Sequence, residues 1–381
     1  MTASATTPPG PGLVFDHVTL GQRVRFGTGR AARELGDEVA RRGSRRVMVL
    51  ASPRELALAE RMSAGVGVTA WFDDVVQHVP VEKAEAARAV ADTQDVDLLV
   101  AVGGGSTVGL AKAVALTTGL PIVAVPTTYA GSEATNVWGM TEDRVKRTGV
   151  DDRVLPGTVI YDASLTSSLP VPLSVASGLN ALAHCVDSLW APRTDPIDQA
   201  LALEGARALG TALAGLVSRP DDLVAREQAL YGCYLAAVAF ASAGSGLHHK
   251  ICHVLGGTFD LPHAETHAVV LPHVLALNGP AVPQAVGRLA LALGADPRDP
   301  RPPAELAVAT VDDLYRRLDA PRRLVDHGFR AADVPRATAA VLAAAPPSNP
   351  APLDESTVRS LLTDALDGAG PTDRPSTTTR R

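Results

Sequence analysis

The sequence has few cysteine and aromatic residues and no long uninterrupted apolar run. Its 381 residues include three cysteines, none in a CxxC spacing, and aromatic residues make up 4% of the chain. This usage argues against a disulfide framework and fits thiols that are buried as small hydrophobic groups in a reducing compartment. Because no apolar run reaches about 18 residues, no membrane span is predicted.

The chain also lacks a targeting signal and an excess of basic residues. Its first twelve residues, MTASATTPPGPG, contain neither a basic segment nor an apolar segment of the kind found in signal peptides. The net charge of −6 argues against a general nucleic-acid or membrane-surface partner. With 46% hydrophobic residues, the composition is that of a globular protein large enough for two domains. A cytoplasmic location is expected.

What is present is a series of short apolar runs alternating with helical patterns. Runs of this kind, separated by helices, are typical of a parallel sheet covered on both faces. Four of them predict strands, at residues 45–51, 68–73, 96–105 and 121–128. From Val171 onward, Ala/Leu-rich periodic segments without convincing strands predict helices only. We expect an α/β nucleotide-binding domain over 13–165, an all-helical domain over 166–367, and disordered ends at 1–12 and 368–381.

A glycine-rich turn follows the third predicted strand. It consists of Gly103, Gly104, Gly105 and Ser106, with Ser106 a candidate N-cap of the next helix. Glycines there let the backbone approach a phosphate, which the free N–H groups of the helix start can bind. The turn is neither GxGxxG nor a Walker loop, so a tight turn without a ligand is the alternative. The next predicted strand ends in PTTYAGSE (126–133), which suggests one extended ligand across both strand ends.

Polar residues in the helical half recur at helical spacing. Asn180, His184 and Asp187 lie at i, i+4 and i+7 and should share one helix face. A later segment brings a second group, which consists of His249, Lys250, His253 and, 14 residues after His249, His263. Such a set argues against a purely structural role. The remaining histidines lack this support and are interpreted as structural: His17, His78, His248, His267, His273 and His327.

Five motifs, in chain order, carry a resemblance to a known family. They are the GGGS strand end, PTTYAGSE, GLNALAHCVD, LHHKICHVLGG and LPHAETHAVVLPH. Together they resemble the iron-containing alcohol dehydrogenase and dehydroquinate-synthase-like superfamily, and within it the maleylacetate reductases of aromatic-compound degradation. The resemblance extends from Val14 to Asn278 and more loosely through the last helices. It implies an α/β domain followed by a helical domain, a nicotinamide cofactor and a homodimer.

The resemblance also implies where a metal would bind. Metal-dependent members hold iron or zinc with one Asp and three His, and the matching positions here are Asn180, His184, His249 and His263. A neutral carboxamide is a weak ligand in place of the carboxylate, although three histidines could still hold zinc. Maleylacetate reductases resemble one another in this Asn, so we expect no metal. A further departure from the alcohol dehydrogenases is Gly109, where those enzymes usually carry an Asp.

The implied chemistry gives the loss of the metal a reason. Adding hydride to a carbon–carbon double bond conjugated to a ketone requires hydrogen-bond donors for the enolate and then a proton, and no Lewis acid. Histidines supply both functions. We expect His253 or His249 to donate the proton, Asn180 and His184 to position the substrate with His263 in the same set, and Lys250 to bind a carboxylate.

The resemblance assigns the cofactor as well. Gly103 to Ser106 would hold the pyrophosphate, with Thr127, Thr128 and Ser132 against the rest of the dinucleotide. Ser52 stands where NAD-restricted relatives often carry an Asp, and with Arg54 it could meet a 2′-phosphate. We therefore expect both NADH and NADPH to be used.

The sequence thus predicts NAD(P)H-dependent reduction of maleylacetate, a dicarboxylate, to 3-oxoadipate. Three alternatives stay open. One is a metal-dependent alcohol dehydrogenase, and one is a reductase of another unsaturated keto acid in a biosynthetic pathway. The third is a lyase like dehydroquinate synthase, or a nucleotide-binding module without activity.

Overall fold

A six-stranded sheet, parallel throughout, organises the first half of the chain. The computed structural model describes residues 13–142 and 145–369. The sheet order is β1-β8-β5-β4-β2-β3, and a separate antiparallel hairpin pairs β6 with β7. The strands are β1 Arg23–Phe26, β2 Val47–Leu50, β3 Val68–Phe72, β4 Leu98–Gly103, β5 Ile122–Pro126, β6 Val137–Glu142, β7 Val145–Val150 and β8 Thr158–Tyr161.

Both faces of this sheet are buried, which explains why its central strands are apolar at every position. Alternate residues of β2 enter two different core clusters: Val47 and Val49 pack with α1, whereas Met48 and Leu50 pack with α3 and α4. The helices of this half are α1 Ala31–Arg42, α2 Leu56–Met62, α3 Val81–Thr93 and α4 Gly105–Thr118.

The second half of the described chain is helical. A connection over residues 162–170 joins β8 to the first of these helices and contains the predicted domain boundary. The helices are α5 Val171–Ser188, α6 Pro196–Ser218, α7 Leu223–Ala243, α8 Leu247–Phe259, α9 His263–Asn278, α10 Pro283–Ala292, α11 Pro303–Leu318, α12 Val334–Ala344 and α13 Glu355–Asp367.

The expected fold class, a parallel α/β part followed by an all-helical part, is confirmed. The four predicted strands correspond to β2, β3, β4 and β5. One local expectation was wrong. The N-cap of α4 is Gly104 and not Ser106, which lies in the first turn of the helix. The predicted disordered ends lie outside the described residues except for 368–369.

Helix α6 is apolar and long enough to cross a membrane when judged by length and composition alone, with a mean hydropathy of 1.3 in its most apolar stretch. In the structure it packs as a core helix. Leu209, Leu213 and Leu216 on it are fully buried. A Cβ added at Gly178 of α5 would overlap the Leu213 side chain, so the glycine lets the two helices pack closely.

The beginning of the described chain lies against the helical half before it enters the sheet. The Nδ1 atom of His17 is 2.7 Å from a carboxylate oxygen of Asp195, whose other oxygen caps α6 by accepting from the backbone N–H groups of Ile197 and Asp198. Gln22 then donates to the backbone oxygens of Glu133 and Pro156 in the α/β half. Residues 17–22 therefore connect the two halves.

Candidate active site

The carboxyl ends of three neighbouring strands meet beside the glycine turn. An added Cβ on Gly104 would lie 2.9 Å from Thr128 Cγ2, and one on Gly105 would lie 3.3 Å from Ala130 Cβ. The glycines therefore let the turn after β4 pack directly on the loop after β5. The free N–H groups at the start of α4 lie at this edge, where a dinucleotide pyrophosphate binds in folds of this kind.

A buried lysine fixes the loop that follows β5. The Lys112 ammonium donates to the Ser132 carbonyl at 2.5 Å, to Thr135 Oγ1 at 3.0 Å and to the Val137 carbonyl at 2.8 Å. Burial lowers the pKa of Lys112 to about 7, and the neighbouring Glu133 acts in the opposite direction. Ser132, a predicted cofactor residue, is therefore held in place through its backbone.

Six histidines come together where α5, α8 and α9 meet. The rings of His184 and His249 are stacked at 4.8 Å, and the Phe240 ring lies against both of them. The His249 ring also contacts those of His253, His248 and His267, at 6.2, 5.1 and 4.9 Å, and His263 contacts His267 at 4.4 Å. The structure therefore brings the predicted histidines into one cluster.

A buried carboxylate orients the central histidine. His249 Nδ1 lies 2.8 Å from Asp187 Oδ2, which also accepts from the backbone N–H of Gly246 at 2.8 Å. Gly246 is the N-cap of α8, and its close contact with Asp187 leaves no room for a side chain. With Nδ1 donating to Asp187, the imidazole presents Nε2 on its other side. This Nε2 has no hydrogen-bond partner among the described residues.

Burial shifts the titration of this cluster strongly. The pKa of His184 is lowered to about 4 and that of His248 to about 3, first by desolvation and then by neighbouring histidines. Desolvation also places the pKa of His249 well below its usual range and raises that of Asp187 to about 7. The buried histidines His184, His248 and His249 are therefore held neutral around pH 7.

A cavity of about 570 Å³ opens between the two halves of the molecule in front of these buried histidines. His253 and His263, both exposed, line it from the helical side. His78 and Thr141 line it from the α/β side. His249 lies directly behind His253, and His267 directly behind His263. The histidines thus form an outer pair at the cavity and an inner group behind it.

Two other predicted residues occupy different positions. Asn180 lies one turn before His184 in α5 and is 3% exposed, and its Oδ1 has no hydrogen-bond partner within the described residues. Lys250 is half-buried on α8 and is not among the residues lining the cavity within the described ranges.

Several residues of this site were not predicted from the sequence. His248 and His267 were interpreted as isolated structural residues, yet His248 Nε2 lies 2.9 Å from His267 Nδ1 in the inner group. The spacing of four between His263 and His267 was a signal for a shared helix face. The sequence predicted that Asp187 shares a helix face with Asn180 and His184, but it did not predict the hydrogen bond between Asp187 and His249.

His78 carried no comparable signal in the sequence. It and Val79 adopt consecutive left-handed conformations, with φ of 62° and 45°, which are strained for a histidine and more so for a β-branched valine. Thr141 stabilises this bend, with its hydroxyl donating to the His78 carbonyl at 2.9 Å. An added Cβ on Gly109 would meet Val79 Cγ2 at 3.0 Å, so the small residue at 109 leaves room for it.

The residues that the resemblance matches to metal ligands fit a metal poorly. Asn180 offers a neutral oxygen, and the nearby carboxylate of Asp187 is bonded to His249 Nδ1 and Gly246. Across residues 13–142 and 145–369, ligand atoms lie within 4.8 Å of one another in two groups, one of His248, Cys252 and His267, the other of His17, Asp195 and Asp198. Neither group contains the matched positions.

Comparison with known proteins assigns both halves to one group of enzymes. Residues 21–163 match the model described as iron-containing alcohol dehydrogenase, and residues 174–366 match the C-terminal model of the Fe-containing alcohol dehydrogenase family. Maleylacetate reductase from Pseudomonas sp. (strain P51) is 46% identical over 94% of this chain and 99% of its own length.

Solved structures agree with this assignment. An iron-containing alcohol dehydrogenase from Corynebacterium glutamicum is 55% identical, with a TM-score of 0.91 and coverage of 94% of this chain and 99% of that one. Maleylacetate reductase from Rhizobium sp. strain MTP-10005 is 40% identical, with a TM-score of 0.87 and the same coverage.

Proposed function

The chain belongs to the iron-containing alcohol dehydrogenase family, and on that basis we propose that it reduces the conjugated double bond of maleylacetate to give 3-oxoadipate, with NADH or NADPH. Full-length similarity to maleylacetate reductases supports this function. The observation that carries it is Asn180, buried one turn before the His184 that stacks on His249, where a metal-binding relative would need a carboxylate. This reaction belongs to the breakdown of aromatic compounds.

The residues at the strand ends are suited to hold the dinucleotide. We propose that the backbone of Gly103 to Ser106 binds the pyrophosphate, while Thr127, Thr128 and the Ser132 loop contact the remainder. When bound at these residues, the cofactor would supply a hydride for the substrate carbon β to the ketone. The electron pair of the double bond then moves toward the ketone oxygen, and an enolate develops that needs hydrogen-bond donors and a proton at the α carbon.

His253 is the group we assign as proton donor, because it lines the cavity whereas His249 lies behind it. His249, oriented by Asp187, would support His253 from the buried side. We propose that His263 and His78, on opposite sides of the cavity, bind the carboxylates of the substrate. Asn180 and His184 are buried and do not line the cavity within the described residues, so we assign them to holding the inner histidines and not to contact with the substrate. Lys250 lies off the cavity, and we assign it no part in this binding.

Metal independence is part of the proposal. Hydride addition to an enone needs no ionised alcohol, and Asn180 supplies no charge to balance a divalent cation in a buried site. The enzyme should therefore turn over in a chelator. Activity lost together with stoichiometric iron or zinc would favour the alternative, a metal-dependent alcohol dehydrogenase.

The test is loss of NADH absorbance with maleylacetate, other unsaturated keto acids and simple aldehydes, each with and without chelator. We expect turnover of maleylacetate, unchanged by chelator. His253→Ala should lower kcat by about a hundredfold, the usual range for a general acid. His327→Asn removes a histidine that does not line the cavity and serves as the control. Equal kcat for His253→Ala and the parent would exclude His253 as donor.

We further propose that the protein is a homodimer, as the resemblance implies, and that it is located in the cytoplasm, as the cysteine usage suggests. Light scattering on the purified protein checks the first point, and cell fractionation checks the second. A mass of one chain, or recovery with the membrane fraction, would contradict them.

A further inference from the structure

The carboxylate of Glu55 lies across the carboxyl ends of three adjacent strands. Ser52, after β2, donates its hydroxyl to Glu55 Oε2 at 2.8 Å. Thr127, after β5, donates its hydroxyl to Oε1 at 2.5 Å. Between these strands β4 ends in Gly103, where an added Cβ would lie 2.7 Å from Oε2. Glu55 thus sits among three of the residues expected to bind the cofactor.

Both oxygens of Glu55 accept hydrogen bonds from hydroxyl groups, which fixes the carboxylate at this edge of the sheet. Arg54, the preceding residue, is exposed. The sequence alone suggested Arg54 or Ser52 as partners for a 2′-phosphate. In the structure, the charge that is held in place beside the glycine turn is negative, and Ser52 is engaged with it.

A carboxylate beside a glycine-rich turn is a common feature of dinucleotide-binding sheets. In dinucleotide-binding sheets, an acidic residue near the end of the strand adjacent to the glycine-rich strand accepts from the ribose 2′-hydroxyl. Here β2 is the strand adjacent to β4, and Glu55 follows β2. A carboxylate at that place accepts from a hydroxyl but repels a 2′-phosphate.

We infer that Glu55 makes the protein selective for NADH over NADPH. This inference rests on the proposed use of a nicotinamide cofactor and revises the expectation that both NADH and NADPH are used. Glu55 is a specificity-determining residue that acts on the adenosine half of the cofactor. It has no part in the hydride or proton step.

The experiment measures dissociation constants of NADH and NADPH by fluorescence titration, with no maleylacetate present. The parent should bind NADH at least about tenfold more tightly than NADPH. Glu55→Gln keeps the shape of the side chain and removes its charge. It should lower the ratio of the NADPH dissociation constant to the NADH dissociation constant by about tenfold or more. Glu60→Gln removes an exposed carboxylate from the same region, on α2, and should leave the ratio unchanged.

A second measurement needs no variant. ADP-ribose should displace NADH from the parent at least about tenfold more effectively than its 2′-phosphate does. Equal constants for the two nucleotides in the parent, or a ratio that Glu55→Gln leaves unchanged, would overturn the inference and leave the proposed reductase intact. If neither nucleotide binds, the proposed function fails and the assignment of Glu55 fails with it.

Discussion

Replacing Asn180 with aspartate tests whether a neutral residue is needed at the buried end of the histidine cluster. The substitution changes an amide nitrogen to an oxygen and adds one charge, with almost no change in volume. Asn180 is 3% exposed, and its Oδ1 has no partner among the described residues. A carboxylate there would lose its hydration without a compensating hydrogen bond.

Asp187, on the same helix, gives a measure of the cost. Burial raises its pKa from 3.8 to about 7, although backbone N–H groups of α8 stabilise the charged form. A shift of about three pH units, at about 1.4 kcal/mol each, corresponds to roughly 4 kcal/mol. A raised carboxyl pKa means that the folded state binds the proton more tightly. Asn180→Asp should therefore match the parent near pH 4 and lose about 4 kcal/mol above pH 7.

The assay is urea unfolding of the parent and Asn180→Asp between pH 5 and 8, in chelator and again with added zinc or iron. In chelator, the difference in unfolding free energy should grow with pH. Added metal should then stabilise Asn180→Asp more than the parent, because the new carboxylate completes the matched set with His184, His249 and His263. Asn180→Ser, which stays neutral, should show no dependence of this kind.

Two results would refute the reasoning. If Asn180→Asp is as stable as the parent at pH 8 in chelator, desolvation at this position is far weaker than the environment of Asp187 indicates. If the parent itself gains several kcal/mol from added metal, Asn180 does not prevent metal binding.

Three further predictions concern other parts of the molecule. Glu38→Gln should cost about 2 kcal/mol at pH 7. Burial raises the pKa of Glu38, but hydrogen bonds from Arg41, Thr158 and Arg42 outweigh it and lower the pKa to about 2. The loss of unfolding free energy, measured with urea, should therefore vanish as the pH falls from about 4.5 to 2. A loss that stays constant with pH would contradict this. His78→Ala should raise KM for maleylacetate about tenfold with little change in kcat, unlike Gln77→Ala; equal KM values would exclude His78 from substrate binding. Lys112→Met leaves three acceptors unpaired and should lower unfolding free energy by about 3 kcal/mol and weaken NADH binding; unchanged stability would contradict the role of its three hydrogen bonds.

The central strands could be predicted because both faces of the sheet are covered. Val47 to Leu50 and Leu98 to Val102 are buried at every position, which gives an uninterrupted apolar run in the sequence. The edge strand β1, RVRF, lies at the border of the sheet and is largely exposed, so it carries no such run.

The candidate site was predictable to the extent that helical spacing brings residues together. Asn180, His184 and Asp187 share a face of α5, as expected from their spacing. Spacing within one helix does not predict which residues of different helices come into contact. Nothing in the order of residues indicates that His248 turns toward α9, or that His78 reaches the cavity from the other half of the chain. Those contacts depend on how the halves pack.

The segment that holds His17 against Asp195 and Gln22 against Glu133 has a mechanical consequence. The cavity lies between two halves that the chain joins twice, at residues 17–22 and at 162–170. If the halves open to admit substrate, both connecting segments must bend together, so they act as one hinge. A chain shortened beyond His17 would keep every cavity residue but would lose the contact with Asp195 that holds one of these segments in place. Its halves would then swing with less restraint.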